Sequence, residues 1–176
     1  MKKILSVAVF VLVSVILTGC GGSSSAVDDP HHEDYVPELR VFDIIDTNDT
    51  DTATPNHPHL EIDPYRNDGI FGVFWEVNSL EDYTVTLHIN DQPTLANSLK
   101  VHSQVCGAGR SCDQEGGWAC TYTTDFYMYC DNSNFEQDVY PLLANSPQKV
   151  YLLLKVCDSN SGYCEFDYYP VFLKHE

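Results

Sequence analysis

Six cysteines beyond residue 100 have spacings that suit disulfide chemistry. They are Cys106, Cys112, Cys120, Cys130, Cys157 and Cys164. An even number of cysteines in an oxidising compartment suggests three disulfides. Cys157 and Cys164 flank a turn-rich segment between two strand-like runs, so we expect them to bridge the base of a hairpin. The other four allow three pairings. We favour Cys106–Cys112 and Cys120–Cys130, which close short local loops. A zinc site is the alternative, although the chain has no Cys-x-x-Cys pair.

An acidic segment carries oxygen ligands at close spacing. Asp46, Asn48, Asp49 and Asp51 are of the type that calcium prefers, in coordination shells of about six to eight oxygens. The segment lacks the glycine and the distal glutamate of an EF-hand loop, so the alternative is a solvated polar loop. No cofactor is predicted, and calcium is the metal that we retain as a candidate.

Histidines and tyrosines supply two further candidates. His57 and His59 are two residues apart and could bind zinc or copper, although no third fixed ligand is evident; the alternative is an exposed loop. Tyrosines on a sheet face can bind sugars or proteins, while the alternative is ordinary strand packing. Tyr127 and Tyr129 are the main candidates, because they alternate with apolar neighbours that should face inward. The wider set is Tyr122, Tyr127, Tyr129, Tyr163, Tyr168 and Tyr169.

The elements that must position these residues follow a period of two, which indicates half-buried strands. Seven such runs are separated by turn-forming clusters, and they lie within 39–44, 71–77, 83–89, 99–105, 118–124, 150–156 and 164–173. One short helix is expected, starting with a capping box at Ser133 and Glu136 and stopping at Pro141. The pattern predicts an all-β fold, an antiparallel β-sandwich of about seven to eight strands stapled by disulfides.

The N-terminus has a basic start at Lys2 and Lys3, followed by a short apolar run over residues 4–17. That run is short for a permanent membrane span and reads as a signal peptide. Its end, Leu17-Thr18-Gly19-Cys20, resembles the lipobox of bacterial lipoproteins. The resemblance implies that Cys20 receives lipid, that residues 1–19 are removed, and that the acyl chains hold the protein on a membrane. Because Gly21 is not aspartate, the resemblance implies the outer membrane of a Gram-negative bacterium.

The mature chain divides into a tether and one domain. Residues 20–37 begin with a Gly/Ser run and form the lipidated flexible tether, and residues 38–176 form a single sandwich domain. Loss of Lys2 and Lys3 leaves seven basic residues against 26 acidic ones, a net charge of −19. Nucleic acid and anionic lipid surfaces should repel such a chain, so nucleic-acid binding is not expected.

Two hairpin-like regions carry a second resemblance. Phe71-x-Val73-x-Trp75 followed by Tyr83-x-Val85-x-Leu87 is similar to the second and third strands of fibronectin type III and immunoglobulin-like domains. Residues 149–173 look like the closing strand pair of those folds. The resemblance covers about half of the domain, and a shared fold does not supply a function.

Two hypotheses about function follow. The first is a membrane-anchored binding or adhesion module for a protein or glycan partner. The alternative is a structural or accessory subunit of an envelope assembly with no ligand of its own. The sequence has no Gly-x-Ser-x-Gly elbow, no His-Glu-x-x-His helix and no phosphate loop, so we do not expect an enzyme. A lipoprotein enzyme acting on envelope glycans is a third and weaker reading.

Overall fold

The computed structural model describes residues 37–46, 60–131, 133–143 and 148–174, all within the unit His32–Glu176. In these ranges ten strands form two five-stranded sheets. The first sheet has the order β1 (Glu38–Asp46), β3 (Ile70–Asn78), β6 (Glu115–Tyr122), β7 (Tyr127–Cys130) and β8 (Gln137–Asp138). The second has the order β2 (Leu60–Ile62), β10 (Cys164–Leu173), β9 (Gln148–Asp158), β4 (Tyr83–Asn90) and β5 (Leu99–Cys106).

All strand pairs are antiparallel except the short pair β2 and β10. The predicted all-β, disulfide-stapled sandwich is therefore confirmed. The strand number exceeds the predicted seven to eight because β2, β7 and β8 have only two to four residues each. Such short segments are too brief to show a period in the sequence. No helix in the described part of the chain has the length and apolar character needed to cross a membrane.

The core lies between the inward faces of the two sheets. Alternate residues of β3 and β4 are buried, as their period predicts, and each fully buried aliphatic side chain contributes about 1.5–3 kcal/mol. Trp75 is fully buried, with its ring centroid 4.3 Å from that of Trp118. Gly116 lies against Trp75, and a Cβ at that position would come within 2.3 Å of Trp75 Cζ2. A glycine on β6 therefore makes room for the largest side chain of the core.

The prediction of a helix after Ser133 is wrong. Gln137 and Asp138 instead pair with β7, and Pro141 lies in a single 3₁₀ turn, Tyr140–Leu142. Val139 donates its backbone N–H to the Phe126 carbonyl at 2.9 Å and is fully buried. A two-turn helix is marginal in water, so burial and sheet pairing of this segment outweigh its capping signal.

Two strands have a different phase from the one that the sequence suggests. In β5 a register shift opposite Leu87 and His88 changes which alternate residues face the core. Val101 is therefore buried, whereas Val105 is exposed. In β10 the inward residues are Val171 and Leu173 and those in phase with them. Phe166 and Tyr168, which we expected to be half-buried, point away from the core.

The three predicted disulfides are confirmed. Cys106–Cys112, Cys120–Cys130 and Cys157–Cys164 are each within bonding distance. The second and third pairs link residues that lie directly opposite each other on neighbouring strands. Cys157–Cys164 closes the β9–β10 hairpin at its base, as the sequence predicts.

Exposure predicts the order in which these bonds open. Cys164 is exposed and Cys157 is half-buried, whereas the other four cysteines are at most 2% exposed. Because thiol–disulfide exchange requires access to a sulfur atom, a mild reductant should open Cys157–Cys164 first. Alkylation followed by peptide mass analysis should find label at these two cysteines while the other four remain protected. Earlier labelling of Cys120 or Cys130 would contradict the expected order.

Candidate binding face

The predicted calcium loop lies almost wholly outside the described residues. Asp46 is the last residue of β1, whereas Asn48, Asp49 and Asp51 belong to the segment 47–59, which the structure does not describe. The histidine pair at 57 and 59 lies in that segment too. Within the described ranges, no group of three or more His, Cys, Asp or Glu side chains could hold a metal ion. Calcium at residues 46–51 stays a prediction.

The tyrosines that the sequence singles out do not form one patch. Tyr122 is fully buried in the core, and Tyr169 on β10 is partly buried and packs against the core cluster. Tyr127 and Tyr129 point outward on β7, as their alternation predicts, and Tyr127 is 37% exposed. Tyr168 lies on the other sheet. The structure therefore separates the two main candidates from the most exposed part of β10.

The outer face of the second sheet carries a row of exposed rings. Phe166 and Tyr168 are alternate residues of β10, and they are 46% and 47% exposed. Their partners across the β9–β10 ladder are Lys155 and Leu153. Leu153 points away from the core and is still fully buried, because it lies between Tyr168 on β10 and His88 on β4. The rings thus stand on a packed support.

Tyr151 extends this row on the neighbouring strand. Its ring meets that of Tyr168 edge to face, with 5.7 Å between the centroids and 81° between the planes. Lys149 Nζ lies 5.2 Å from the Tyr151 centroid, which is within the range of a cation–π contact. The rings of Tyr151 and Tyr168 are therefore held by their neighbours. We call Tyr151, Phe166 and Tyr168 the aromatic ridge.

Three lysines flank the aromatic ridge. Lys155 lies opposite Phe166, Lys149 lies over Tyr151, and Lys100 on β5 lies opposite His88. In the part of the chain that the structure describes, no ion pair involves Lys100 or Lys155. These three make up nearly half of the seven basic residues in the predicted mature chain. We call the three lysines and the aromatic ridge together the lysine–aromatic face.

Carboxylates are missing from this face in the described residues. The outward positions of β4, β5, β9 and β10 hold none, although the whole chain has 26 acidic residues. Glu61 on β2 is the nearest in register, opposite Phe172, and it lies 3.9 Å from Lys174 Nζ. The outer face of the first sheet, by contrast, carries Glu76 and Glu115 as direct neighbours. The two outer faces therefore differ in the sign of their charge.

The electrostatic character of the lysine–aromatic face is visible at His88. Burial lowers the pKa of this imidazole, and the positive charges of Lys155 and Lys100 lower it further. Packed sheets are about 10 Å apart, and outward side chains add several ångströms on each side. The Debye length is about 8 Å at physiological ionic strength, so salt largely screens this face from the carboxylates on the opposite sheet. The local positive charge is thus only weakly offset by the negative net charge.

One edge of each sheet is partly closed by an aspartate. Asp167 Oδ1 accepts the Tyr168 backbone N–H at 2.8 Å on β10, and Asp43 Oδ1 accepts the Ile44 N–H at 2.8 Å on β1. Pro170 has no N–H to offer. Charged side chains and proline on an edge strand disfavour the addition of a further strand. Along β10, binding is accordingly expected on the face of the sheet and not by addition of a strand.

Sequence reasoning missed most of the lysine–aromatic face. The local pattern places Phe166 only within the strand-like run 164–173, and it does not distinguish the three lysines from other exposed residues. The signal was present in β10, where apolar residues occupy both phases of the strand: Phe166 and Tyr168 in one, Val171 and Leu173 in the other. Only one phase can face a single core, so the other must be exposed or must meet a partner.

The chain matches no protein-family model, no curated protein and no solved structure. What its fold and surface define directly is a disulfide-stapled β-sandwich with one lysine–aromatic face. Its resemblance to immunoglobulin-like and fibronectin type III domains stays a prediction beyond that architecture.

Proposed function

We propose that this chain is a lipid-anchored extracytoplasmic binding module that holds a protein or glycan partner through its lysine–aromatic face. The observation that supports the proposal is the aromatic ridge, in which two large rings are nearly half exposed on a rigid support. Aromatic side chains fixed by packing lose little conformational entropy on binding and supply large contact areas. Contiguous exposed apolar surface of this kind commonly marks an interaction site.

The cellular location in this proposal is inferred from the lipobox-like segment that ends at Cys20. Lipid on Cys20 would hold the domain at the outer membrane of a Gram-negative bacterium, on its periplasmic or surface side. Residues 20–37 would then act as a tether that lets the domain reach a partner nearby. The three disulfides support export, because such bonds persist in oxidising compartments. The proposal assigns the chain no catalytic activity.

A photoreactive phenylalanine analogue at position 168 tests this function in intact cells that express the full chain. Illumination should link the chain to its partner, because the analogue keeps an aromatic ring in the centre of the face. The matched control is the same analogue at position 135, where Phe135 is 51% exposed away from the aromatic ridge. Adducts from position 168 only would support the proposal. Adducts from neither position, or equally from both, would contradict it.

The accessory-subunit alternative has a surface of its own. Ile45 is 50% exposed and Ile70 is 39% exposed on the outer face of the first sheet, near Gly72. If the chain is a subunit of an envelope assembly, the analogue at position 70 should form the adducts instead. A partner of fixed stoichiometry should then also co-purify from gently solubilised membranes.

A further inference from the structure

We infer that the lysine–aromatic face recognises an anionic polysaccharide, a glycan chain that carries carboxylate or phosphate groups. The inference rests on the proposed function, since it names the ligand class of the same face. Three properties of the face carry it: exposed rings in a row, lysines around them, and an edge that is closed to added strands.

The rings account for the sugar component. Tyr151, Phe166 and Tyr168 offer partly exposed aromatic surface on the outer side of the sheet, and the buried Leu153 lies opposite Tyr168 on the neighbouring strand. The C–H groups of a pyranose ring pack against aromatic surfaces, while its hydroxyl groups remain in water. A tyrosine tip can in addition hydrogen-bond a hydroxyl group at the rim of such a contact. Rings held in place by their neighbours lose little freedom when a sugar binds.

The lysines account for the negative charge. Lys100 and Lys155 have no ion-pair partner in the described residues, and no carboxylate occupies the outward positions of the four strands beneath the face. Elsewhere, the basic side chains Arg40, Arg110 and Lys174 each lie within ion-pair distance of an acid. An anion on this face would therefore meet two lysines, Lys100 and Lys155, that no ion pair of the described residues neutralises.

The spacing of the lysines favours an extended ligand. Lys149 and Lys155 are on the same side of β9 and six residues apart, which is about 20 Å along a strand. The aromatic ridge occupies the length between them. A single small anion cannot contact both lysines, whereas a polymer with a charge on each repeating unit can.

The closed edge distinguishes a glycan from an acidic peptide. A peptide commonly binds a sheet by adding a strand to its edge through main-chain hydrogen bonds. On β10, Asp167 accepts the Tyr168 N–H, and Pro170 has none. The face is therefore better suited to a chain that lies across it.

The test uses the full chain in mild detergent and two polymers of one backbone: polygalacturonate, with a carboxylate on every sugar, and its fully methyl-esterified form. We expect polygalacturonate to bind and the ester to bind at least about tenfold more weakly. Above physiological ionic strength, binding should also weaken as salt is added, because surface ion contacts are screened. Polyglutamate of similar length serves as an acidic polymer without sugar rings, and we expect it to bind no better than the ester.

Two pairs of variants assign the binding to the face. K100Q/K155Q should lower the affinity for polygalacturonate about tenfold, at about three- to fivefold per exposed charge contact. R40Q/R66Q removes the same number of charges elsewhere and should leave the affinity unchanged. F166S/Y168S should weaken binding of both glycans, while F135S/Y65S should not. All eight positions are exposed or half-buried, so unchanged melting temperatures would show that the variants remain folded.

The outcomes separate the inference from the function on which it rests. Preference for polygalacturonate that is lost in K100Q/K155Q would support the inference. If the methyl ester binds as tightly as polygalacturonate, the inference that the ligand must be anionic is overturned. If polyglutamate binds as tightly as polygalacturonate, the inference that the ligand is a glycan is overturned, and an acidic protein is favoured instead. Binding of none would overturn the inference, while adducts from position 168 in cells would still support the binding module.

Discussion

Replacing Cys20 with serine should abolish lipid attachment completely. In the lipoprotein family that the lipobox resembles, the thiol of this cysteine receives a diacylglycerol, and the signal peptide is cut only afterwards. A serine hydroxyl is a much weaker nucleophile than a cysteine thiolate, so the Cys20→Ser chain should take up no labelled palmitate. Two or three acyl chains, at about 0.8 kcal/mol per buried CH2, would be lost with it.

The measurement is metabolic labelling with palmitate, together with the mass of the purified chain. The wild-type chain should carry label and should lack residues 1–19, whereas Cys20→Ser should lack label. Ser23→Ala lies three residues further on and serves as the control, because it should leave both labelling and cleavage unchanged. Label that persists in Cys20→Ser would show that this cysteine is not the lipid site, and the membrane anchor would have to be abandoned.

The second large effect is expected at Gly69, which joins a 3₁₀ turn to β3. Its φ is +64°, a conformation that costs most L-residues about 1–2 kcal/mol. An added Cβ would also lie 2.0 Å from the Tyr122 backbone oxygen. Tyr122 is paired to β7 and fully buried, so its backbone has little freedom to move. We expect Gly69→Ala to lower the free energy of unfolding by about 3 kcal/mol or more.

Gly162 supplies a matched control for this substitution. Its φ is +74°, but no atom lies within 4 Å of an added Cβ. Gly162→Ala should therefore cost only the conformational part, about 1 kcal/mol. Urea unfolding followed by the fluorescence of the buried Trp75 and Trp118 would measure both. Equal losses in the two variants would show that backbone conformation alone, without the clash at Tyr122, determines the effect at Gly69.

Local patterns predicted much of the sandwich. The alternation over residues 71–77 and 83–89 predicts two half-buried strands, and both occur with the expected faces inward. The hairpin over 149–173 and its disulfide also follow from local signals, because the residues that meet are close in the chain. The failure at Ser133 has the opposite cause. There a capping box of four residues competes with pairing to β7 and burial of Val139, which the local sequence does not reveal.

Some of the candidate binding residues could be predicted from local sequence, and others could not. The outward direction of Tyr127 and Tyr129 was predictable, because alternation with buried neighbours decides the face of a residue on one strand. The lysine–aromatic face was not predictable. It draws Lys100 from β5, Lys155 from β9 and Phe166 from β10, and these come together only when the strands are ordered in the sheet.

By itself, the sequence determined the period-two pattern and predicted the Cys157–Cys164 bridge and the lipobox-like segment that ends at Cys20, while the pairing of the other four cysteines beyond residue 100 stayed open. These depend on chemistry within a few residues of the chain. The tertiary structure alone decided which phase of β10 meets the core and which side chains of four strands share an outer face. The physical reason is that strand order and register bring together residues up to about 70 positions apart, such as Lys100 and Phe166, and no local period records such distances.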